Sequence, residues 1–504
     1  MSLAGMLVGV FLSLVTKLLI ARSGTQSEYG IYSLATVLVS IGVVVSLMGL
    51  ESGATRYIAY YGGRGETERV KQSVGGSLRI AVSASVLVSV LLLVSADTIS
   101  VNLLHEPALA LPLRILAIGL PFSVVIGMLA SAYRGFGRVQ EKVYFQDLLP
   151  PALFVALLLP ATLLRVSFSA VFYLYAAAYV GGCAAFLAYT LVRPPAGLRS
   201  IPWTRPSPLD KELLVFSLPL LAVALLATVV TYANTLLLGY FQGTAAAGLY
   251  SAAVPLAAFL AMPVGATILI YTPVTAALYA QGRMPEMRRH YVFVTKWSFS
   301  ITFPLFLLLA LLPDTVLGVL FGSSYVPASQ ALRILSLGNI VASLLGPSAA
   351  LLTVVGQTTF LMWVGVAAAA VNVLLGIALI PPLGIVGAAI ATAVALVFVY
   401  VARLVKLSAL LRVFPLTWRL LRPAAISVVL IVPAYFLLRD SLSTNLWTLL
   451  GAAIVVYGVH ALAILFGRGL DPEDVSLLAE IDKRIDGRAG ISTAPLKRVL
   501  TRWL

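Results

Sequence analysis

The segment Leu113-Arg114-Ile115-Leu116-Ala117-Ile118-Gly119 occurs a second time, 219 residues later, as Leu332-Arg333-Ile334-Leu335-Ser336-Leu337-Gly338. A shift of 218 residues aligns Gly30-Ile31-Tyr32-Ser33 with Gly248-Leu249-Tyr250-Ser251. Matches in the same order and at almost one offset indicate a duplicated unit of about six apolar segments. Two equivalent halves of this kind are typical of membrane proteins that open first to one side and then to the other.

The composition indicates that this chain lies in a lipid bilayer. Hydrophobic residues make up 60% of the 504 residues and charged residues 11%, whereas roughly 25% of residues are charged in an average soluble protein. Long uncharged stretches recur along the chain, and each predicts a membrane-spanning helix. We count fourteen, with approximate limits 3–22, 30–50, 73–96, 112–133, 144–164, 167–192, 213–239, 247–275, 293–313, 328–354, 358–381, 384–408, 416–438 and 446–467.

The positive charges test this count. If the amino terminus is cytoplasmic, the inward loops and the tail after residue 467 carry 27 of the 34 Lys and Arg residues. This bias predicts the cytoplasmic membrane, with both termini on the cytoplasmic side. The net charge of +15 is spread over alternate loops rather than gathered on one face, so we expect no nucleic-acid partner.

The repeat and the loops divide the chain into five parts. We predict a first six-helix lobe at 1–192, a proline-rich cytoplasmic linker at 193–212, and a second lobe at 213–410. Two extra helices follow at 411–467, and a cytoplasmic tail at 468–504. The fold class is therefore an all-α multi-pass membrane protein, with two lobes related by a parallel repeat.

Nothing in the sequence predicts catalysis. The histidines His105, His290 and His460 are scattered, and no spacing of residues matches a metal site, a phosphate-binding loop or a nucleophile elbow. The single cysteine, Cys183, lies in an apolar span and cannot form an internal disulfide. We therefore expect neither an enzyme nor a cofactor nor a bound metal.

The informative residues are cations inside the membrane. Lys17 lies well within span 1 and Arg79 within span 3, while Arg22 and Arg56 lie at opposite mouths of spans 1 and 2. A cation at the bilayer centre costs at least about 2.5–3.5 kcal/mol, so it faces water or a partner. Lys17 could instead extend outward along its stem to the surface. Since few acids are available inside the spans, unpaired cations in a cavity would attract an anion, for which phosphate is the obvious candidate.

Two further polar residues are candidates for coupling or for lining the cavity. Asp147 is the only acid that falls clearly within a predicted span, in the first turn of span 5. An acid there is also favourable simply because it lies at a helix amino terminus. Asn234 aligns with Thr16 by the offset of 218 residues, and a hydrogen bond between helices is its alternative role.

The stretch from Asn372 to Thr392 resembles a known family. Asn372-Val373-Leu374-Leu375 is followed by Ile380-Pro381-Pro382-Leu383-Gly384-Ile385-Val386-Gly387-Ala388-Ala389-Ile390-Ala391-Thr392. This run, with Glu28-Tyr29-Gly30 and Phe216-Ser217-Leu218-Pro219, resembles the polysaccharide-biosynthesis flippases of the multidrug/oligosaccharidyl-lipid/polysaccharide exporter superfamily. Gly384 and Gly387 also have a structural explanation, because small residues after a very short loop allow close helix packing.

The resemblance implies two helical bundles around a central cavity that alternates between inward and outward states. It implies as cargo an oligosaccharide on a polyprenyl phosphate or pyrophosphate, with membrane lipid and polysaccharide-assembly proteins as partners. Lys17, Arg22 and Arg56 are placed similarly to the cavity cations of related lipid II flippases, whereas Arg79 rests on burial alone. By the same resemblance, spans 13 and 14 would bound a groove for the lipid tail.

Three alternatives stay open. A cation-coupled multidrug antiporter would depend on Asp147, although such relatives generally have twelve spans and several membrane carboxylates. A membrane glycosyltransferase or polymerase would need a large outer loop or an acidic metal-binding motif. A scaffold without transport activity is the third alternative.

Overall fold

The computed structural model describes residues 2–164, 166–195, 207–439 and 444–467. Within these residues every regular element is a helix. We number α1 to α14 the helices that correspond to the predicted spans. They are α1 (Ser2–Ser23), α2 (Gln26–Leu47 and Leu50–Gly63), α3 (Thr67–Leu103), α4 (Pro107–Gly135), α5 (Val139–Leu163), α6 (Ala170–Val192), α7 (Pro208–Gln242), α8 (Thr244–Ala258 and Met262–Ala280), α9 (Met284–Leu311), α10 (Ser323–Leu345), α11 (Thr358–Leu383), α12 (Ile385–Leu411), α13 (Trp418–Leu438) and α14 (Leu446–Phe466).

The predicted multi-pass helical fold is confirmed. Thirteen helices of the described residues are long and apolar enough to cross a membrane. The fourteenth of the numbered helices, α1, has 22 residues. Most of the predicted linker, residues 196–206, and the predicted tail at 468–504 lie outside the described residues.

The second span is longer than predicted, because α2 continues beyond a break. Met48 and Gly49 both adopt left-handed backbone angles, with φ of 49° and 71°, and helix resumes from Leu50 to Gly63. The prediction ended this span at residue 50, since Glu51, Arg56 and three glycines make the next turns resemble a loop. Helix formation there places Glu51 and Arg56 on an ordered element.

The two copies of the repeated segment have matching environments. Leu113 in α4 and Leu332 in α10 are both fully buried, whereas Ile118 and Leu337 are 57% and 53% exposed. Arg114 and Arg333 are exposed in both copies. Because six of the seven positions have the same burial class in both copies, the duplication extends from sequence to packing.

The chain divides into two compact units. Unit 1 comprises residues 1–256, 320–335 and 359–399, and unit 2 comprises 257–319, 336–358 and 400–504 as far as they are described. In unit 1, helix α4 is largely buried and packs against α2, α3 and α6. The units do not follow the repeat, so the lobe boundaries predicted at 1–192 and 213–410 remain a prediction.

The second pair of repeated segments meets directly within unit 1. A Cβ atom on Gly30 would overlap with the backbone carbonyl of Thr244, and one on Gly248 would overlap with that of Gln26. Beside this contact, the Ser27 and Thr244 hydroxyls form a hydrogen bond of 2.6 Å. Glycine is therefore needed at both equivalent positions, because only backbone without side chains fits where α2 and α8 begin.

A very short connection joins α11 to α12, as the sequence predicts. Gly384 alone separates the two helices, with φ of 56°. A Cβ on Gly387 would overlap with the Leu379 carbonyl. The structural explanation for these glycines, which does not involve cargo, is confirmed.

The two additional helices pack onto α9 in unit 2. Phe299, Phe303 and Leu307 of α9 form a buried cluster with Ile431 of α13 and Val456 of α14. The Phe303 ring also lies 5.4 Å from the ring of His460, whose Nδ1 is 2.8 Å from Oγ of Ser427 in a buried polar pair. Helices α13 and α14 are thus integral to unit 2.

Candidate functional site: a hydroxyl-lined cavity around Lys17

A cavity of about 260 Å³ lies in unit 1 among helices α1, α2, α5, α6, α7 and α8. Lys17 is the only charged residue in its described lining. Thirteen other lining residues carry a hydroxyl group, and they are Ser13, Thr16, Tyr29, Tyr32, Ser33, Thr36, Ser40, Tyr175, Tyr179, Thr231, Tyr232, Thr235 and Ser251. The cavity is therefore polar although the helices that form it are apolar.

Helical periodicity presents these side chains on single faces. On α2, Tyr29, Ser33, Thr36 and Ser40 recur every three or four residues and so line one stripe. Tyr175 and Tyr179 of α6 are likewise one turn apart. This stripe could not be recognised from the sequence, because isolated hydroxyl groups are common in membrane helices and only their convergence distinguishes them.

The small hydroxyl groups offer mainly oxygen acceptors to the cavity. Thr16 donates to Leu12 O at 3.0 Å, and Ser33 donates to Tyr29 O at 2.9 Å, each within its own helix. Thr36 and Thr231 donate to carbonyls four residues earlier in the same way. A hydroxyl that has used its proton keeps oxygen lone pairs, so these walls can accept hydrogen bonds from a ligand.

Lys17 provides the single positive charge among the described residues that line the cavity. It forms no ion pair with any Asp or Glu that the structure describes. A lysine ammonium has three donors and no acceptor, so an anion is the ligand that would satisfy it. A phosphate charge about 4 Å away would attract it by roughly 4 kcal/mol at an effective dielectric constant of about 20.

Tyrosine rings form a continuous aromatic wall beside Lys17. The ring centroid of Tyr32 lies 6.3 Å from that of Tyr29 and 6.5 Å from that of Tyr175. The ring centroids of Tyr175 and Tyr179 are 4.7 Å apart. The Tyr29 hydroxyl donates to the Ser251 carbonyl at 3.3 Å. Aromatic faces and hydroxyl groups together suit a ligand with both C–H faces and polar edges.

Arg22 and Arg56, predicted as cavity cations, do not line this cavity. Arg22 is exposed, and its Nε donates to the Leu320 carbonyl at 2.8 Å. Arg56 is also exposed, with its guanidinium carbon 4.2 Å from the ring centroid of Phe216. Of the four predicted cations, only Lys17 lines the cavity, and their role in binding cargo stays a prediction.

The expectation that Arg79 lacks an acidic partner was wrong. Its guanidinium forms a salt bridge with Asp210 in the first turn of α7, and the two side chains are only 18% and 15% exposed. Asp210 also accepts a hydrogen bond from the backbone N–H of Ser207 at 3.1 Å. The partner is 131 residues away in sequence, so no local pattern could predict the pair.

Asp147 and Asn234 both have protein partners. Asp147 accepts hydrogen bonds from Lys142 Nζ at 2.8 and 3.0 Å. The amide nitrogen of Asn234 donates to Asn372 Oδ1 and to Thr392 Oγ1, each at 2.7 Å, in a buried network that joins α7, α11 and α12. Hydrogen bonding between helices, the alternative role of Asn234, is what the structure contains.

The structure also reveals a carboxylate that sequence analysis missed. Glu51, just after the break in α2, has Arg134, Lys142 and Gln146 as neighbouring charged and polar groups. A Cβ atom placed on Gly127 of α4 would lie only 2.9 Å from Oε1 of Glu51, so the carboxylate packs closely against α4. The acid is visible in the sequence, but the prediction that span 2 ends at residue 50 placed it in a loop.

Comparisons with known proteins agree with this architecture. A multi-pass helical protein with an internal duplication and a polar cavity has the fold of membrane transporters and flippases. Residues 19–330 match the model of a family described as polysaccharide biosynthesis protein. Since the match covers more than half of the chain, the protein belongs to this family.

A curated relative matches part of the chain. It is an uncharacterized membrane protein of Methanocaldococcus jannaschii, 26% identical over 248 residues, or 46% of this chain. The match spans about half of that relative, 48% of its length.

Solved structures share the fold. An inward-facing multidrug resistance MATE family transporter of the MOP superfamily superposes with a TM-score of 0.68 and 17% identity, over 80% of this chain and 95% of that one. The lipid II flippase MurJ in an inward closed conformation gives a TM-score of 0.67 and 13% identity, over 91% and 97% of the two chains. A MOP superfamily transporter from Pyrococcus furiosus gives 0.57 and 18%, over 82% and 95%.

Proposed function

We propose that this protein is a flippase that translocates a polyprenyl-phosphate- or pyrophosphate-linked oligosaccharide across the cytoplasmic membrane by alternating access. The observation that carries this proposal is Lys17, a single cation in a cavity lined by thirteen hydroxyl-bearing residues. The ammonium group would bind the anionic phosphate, and the hydroxyl and aromatic walls would contact the sugar.

The sparse charge of the cavity suits a cargo that must leave again. A site with several cations would hold a diphosphate tightly, and transport requires binding that is strong enough to admit the cargo and weak enough to release it. One ammonium group among weak acceptors meets both conditions. The cargo must also bind the two states of the cycle unequally, or it would not shift their populations.

The distribution of Lys and Arg among the loops supports a direction for the proposed transport. The bias of Lys and Arg toward alternate loops supports a cytoplasmic location for both termini. Cargo would therefore be loaded from the inner leaflet, where enzymes that assemble lipid-linked glycans would supply it. Polysaccharide-assembly proteins on the outer side would consume it.

The charge of the cavity argues against export of cationic drugs. Lys17 would repel a cationic ligand, and Asp147 already binds Lys142. A multidrug antiporter that depends on Asp147 would confer drug resistance on overexpression, and Asp147→Asn would remove it. We expect no such resistance.

Leaflet-specific labelling of lipid-linked glycans tests the proposal. In cells that lack the gene, glycolipid should accumulate on the inner leaflet, and the wild-type chain should restore outer labelling. Lys17→Gln removes the charge at similar size. We expect roughly 10- to 100-fold less labelling of glycan on the outer leaflet, the factor that corresponds to the loss of one hydrogen bond to a charged group. Lys17→Arg keeps the charge and should retain more label.

Lys71→Gln is the matched control, because Lys71 is a partly exposed lysine whose Nζ lies 3.4 Å from Glu68 at the start of α3. It should label like wild type at equal membrane abundance. Wild-type outer labelling by Lys17→Gln would contradict the role of the cavity. Absence of trapped glycolipid in the deletion strain would contradict the assignment of the cargo.

A further inference from the structure

A second cavity, in unit 2, concentrates positive charge. It has a volume of about 500 Å³ and lies between the beginning of α9 and the segment that connects α12 to α13. Five cations line it, and they are Arg288, Arg289, Lys296, Arg412 and Arg419. Its described lining includes no Asp or Glu. We call it the cationic cavity.

One wall of the cationic cavity is a face of α9. Arg288, Val292 and Lys296 are spaced by four residues, so they lie in one row along the helix. Nε of Arg288 is buried and has no hydrogen-bond partner among the described residues. A buried donor of this kind needs an acceptor, which the cavity is positioned to supply from outside the chain.

The opposite wall depends on an unusual backbone conformation. Arg412 follows the last residue of α12 and has a left-handed φ of 49°, a region that residues other than glycine seldom adopt. Leu411 and Val413 on either side are buried, while Arg412 is exposed. Glycine would terminate the helix here with less strain, and strained residues often occur where a ligand is bound.

Several arginines of the described residues have an acid three residues away in the sequence. On the same end of α9, Arg283 forms a salt bridge with Glu286. Arg69 and Arg138 likewise have Glu66 and Glu141 as partners. Arg288 and Arg412 have no acid at that spacing. Because both guanidinium groups line one confined space, an anion with several oxygen atoms would be attracted to both. Guanidinium groups match the geometry of phosphate, which they bind through two parallel hydrogen bonds.

The surroundings of the cavity indicate a lipid as the source of the phosphate. Phe414, which lines it, and nearby Trp418 are 55% and 72% exposed. Aromatic side chains at the ends of membrane helices lie at the depth of lipid headgroups. This end of α9 is also the side that the charge bias predicts to be cytoplasmic, where membranes carry anionic lipids.

We propose that the cationic cavity binds the phosphate of an anionic phospholipid headgroup in the inner leaflet. The site is separate from the Lys17 cavity, and its occupant would be a resident lipid rather than the cargo. Arg288 and Arg412 provide the two walls of the site.

Native mass spectrometry of the full chain in detergent tests this proposal, with equal amounts of phosphatidylglycerol and phosphatidylcholine as probes. Wild type should retain phosphatidylglycerol in preference. Arg288→Gln and Arg412→Gly should each reduce this retention about tenfold, as expected for the loss of one hydrogen bond to a charged group. Arg412→Gly is informative because glycine keeps the left-handed turn, so loss of the lipid cannot be ascribed to a broken backbone.

Three controls complete the experiment. Arg412→Lys keeps a cation at the same backbone position and should retain the lipid better than Arg412→Gly. Arg283→Gln removes an arginine that is paired with Glu286, and Lys17→Gln disables the other cavity. Both should retain phosphatidylglycerol like wild type, so failure of this proposal is distinguishable from failure of the proposed transport.

Two results would overturn the proposal. Equal retention by wild type, Arg288→Gln and Arg412→Gly would exclude the cavity as the lipid site. The other is displacement of the lipid by inorganic phosphate in excess, together with direct phosphate binding that the same two variants abolish. That outcome would assign the cavity to a soluble phosphate instead.

Discussion

The Lys17 cavity of unit 1 and the cationic cavity of unit 2 differ in how much polar, uncharged surface surrounds their cations. The first holds one ammonium group among thirteen hydroxyl-bearing side chains. The described lining of the second has five cations and a single hydroxyl residue, Thr417. Dilute charge suits a ligand in transit, whereas concentrated charge suits one that stays. The number of cations in a cavity, and the amount of hydroxyl surface around them, together indicate which kind of phosphate ligand it suits.

Reversing the charge of the dilute cavity should have the largest effect. Lys17→Glu would place a carboxylate where the cargo phosphate binds, and we expect outer-leaflet glycan to fall at least about 100-fold, since repulsion replaces attraction. Phosphatidylglycerol retention should stay at the wild-type level. If one substitution changed both transport and retention, the two cavities would not be independent.

The pair Arg79–Asp210 differs from both cavities, because here the cation already has a protein anion. Asp210→Asn should destabilise the protein by about 1–3 kcal/mol, since Arg79 loses a mostly buried charged partner. Denaturant titration of the Arg79→Gln, Asp210→Asn and double variants would measure this value and its coupling. Correctly inserted Arg79→Gln protein should transport far better than Lys17→Gln. If Arg79→Gln and Lys17→Gln lost transport equally, Arg79 would have to be part of the cargo site.

A smaller effect is expected at Asn234, which is not in the described lining of the Lys17 cavity and donates hydrogen bonds to Asn372 and Thr392. Asn234→Ala should cost about 1 kcal/mol, the usual range for hydrogen bonds between membrane helices. Asn372→Ala should add little to it, because both residues belong to one network. Unfolding of the two single variants and the double variant tests this prediction, and fully additive costs would contradict it.

The smallest predicted effect is a gain. Arg412→Gly should stabilise the lipid-free protein by about 0.5 kcal/mol, because relief of a left-handed residue, roughly 1–2 kcal/mol, exceeds the entropy cost of glycine, roughly 0.5–1 kcal/mol. Thermal unfolding in detergent without added phospholipid measures it. A less stable Arg412→Gly protein would mean that the arginine has a structural role in the turn.

Much of the architecture could be predicted because it depends on local patterns. Apolar length predicts the helices, and the recurrence of Leu113–Gly119 at 332–338 predicts equivalent packing, which the matching burial of Ile118 and Leu337 confirms. Gly384 and Gly387 were interpreted correctly for the same reason, since a short loop and small residues are visible in sequence. The second half of α2 was missed because its composition resembles a loop.

The candidate sites were predicted only in part. Lys17 stands out in sequence, because a cation in an apolar span is costly wherever it points. The hydroxyl groups around it come from five helices, and the five arginine and lysine residues of the cationic cavity come from segments more than one hundred positions apart. Arg79 illustrates the limit most clearly, since its partner Asp210 lies on another helix.

For this chain, hydrophobicity, charge bias and duplication specify which segments cross the bilayer, because the free energy of transfer into lipid is a property of each segment on its own. Which cations keep their charge unmatched is a property of the folded molecule. An ion pair forms only when packing brings two side chains within a few ångströms. Packing brings Asp210 to Arg79 but brings no described acid to Lys17, although both cations are equally conspicuous in the sequence.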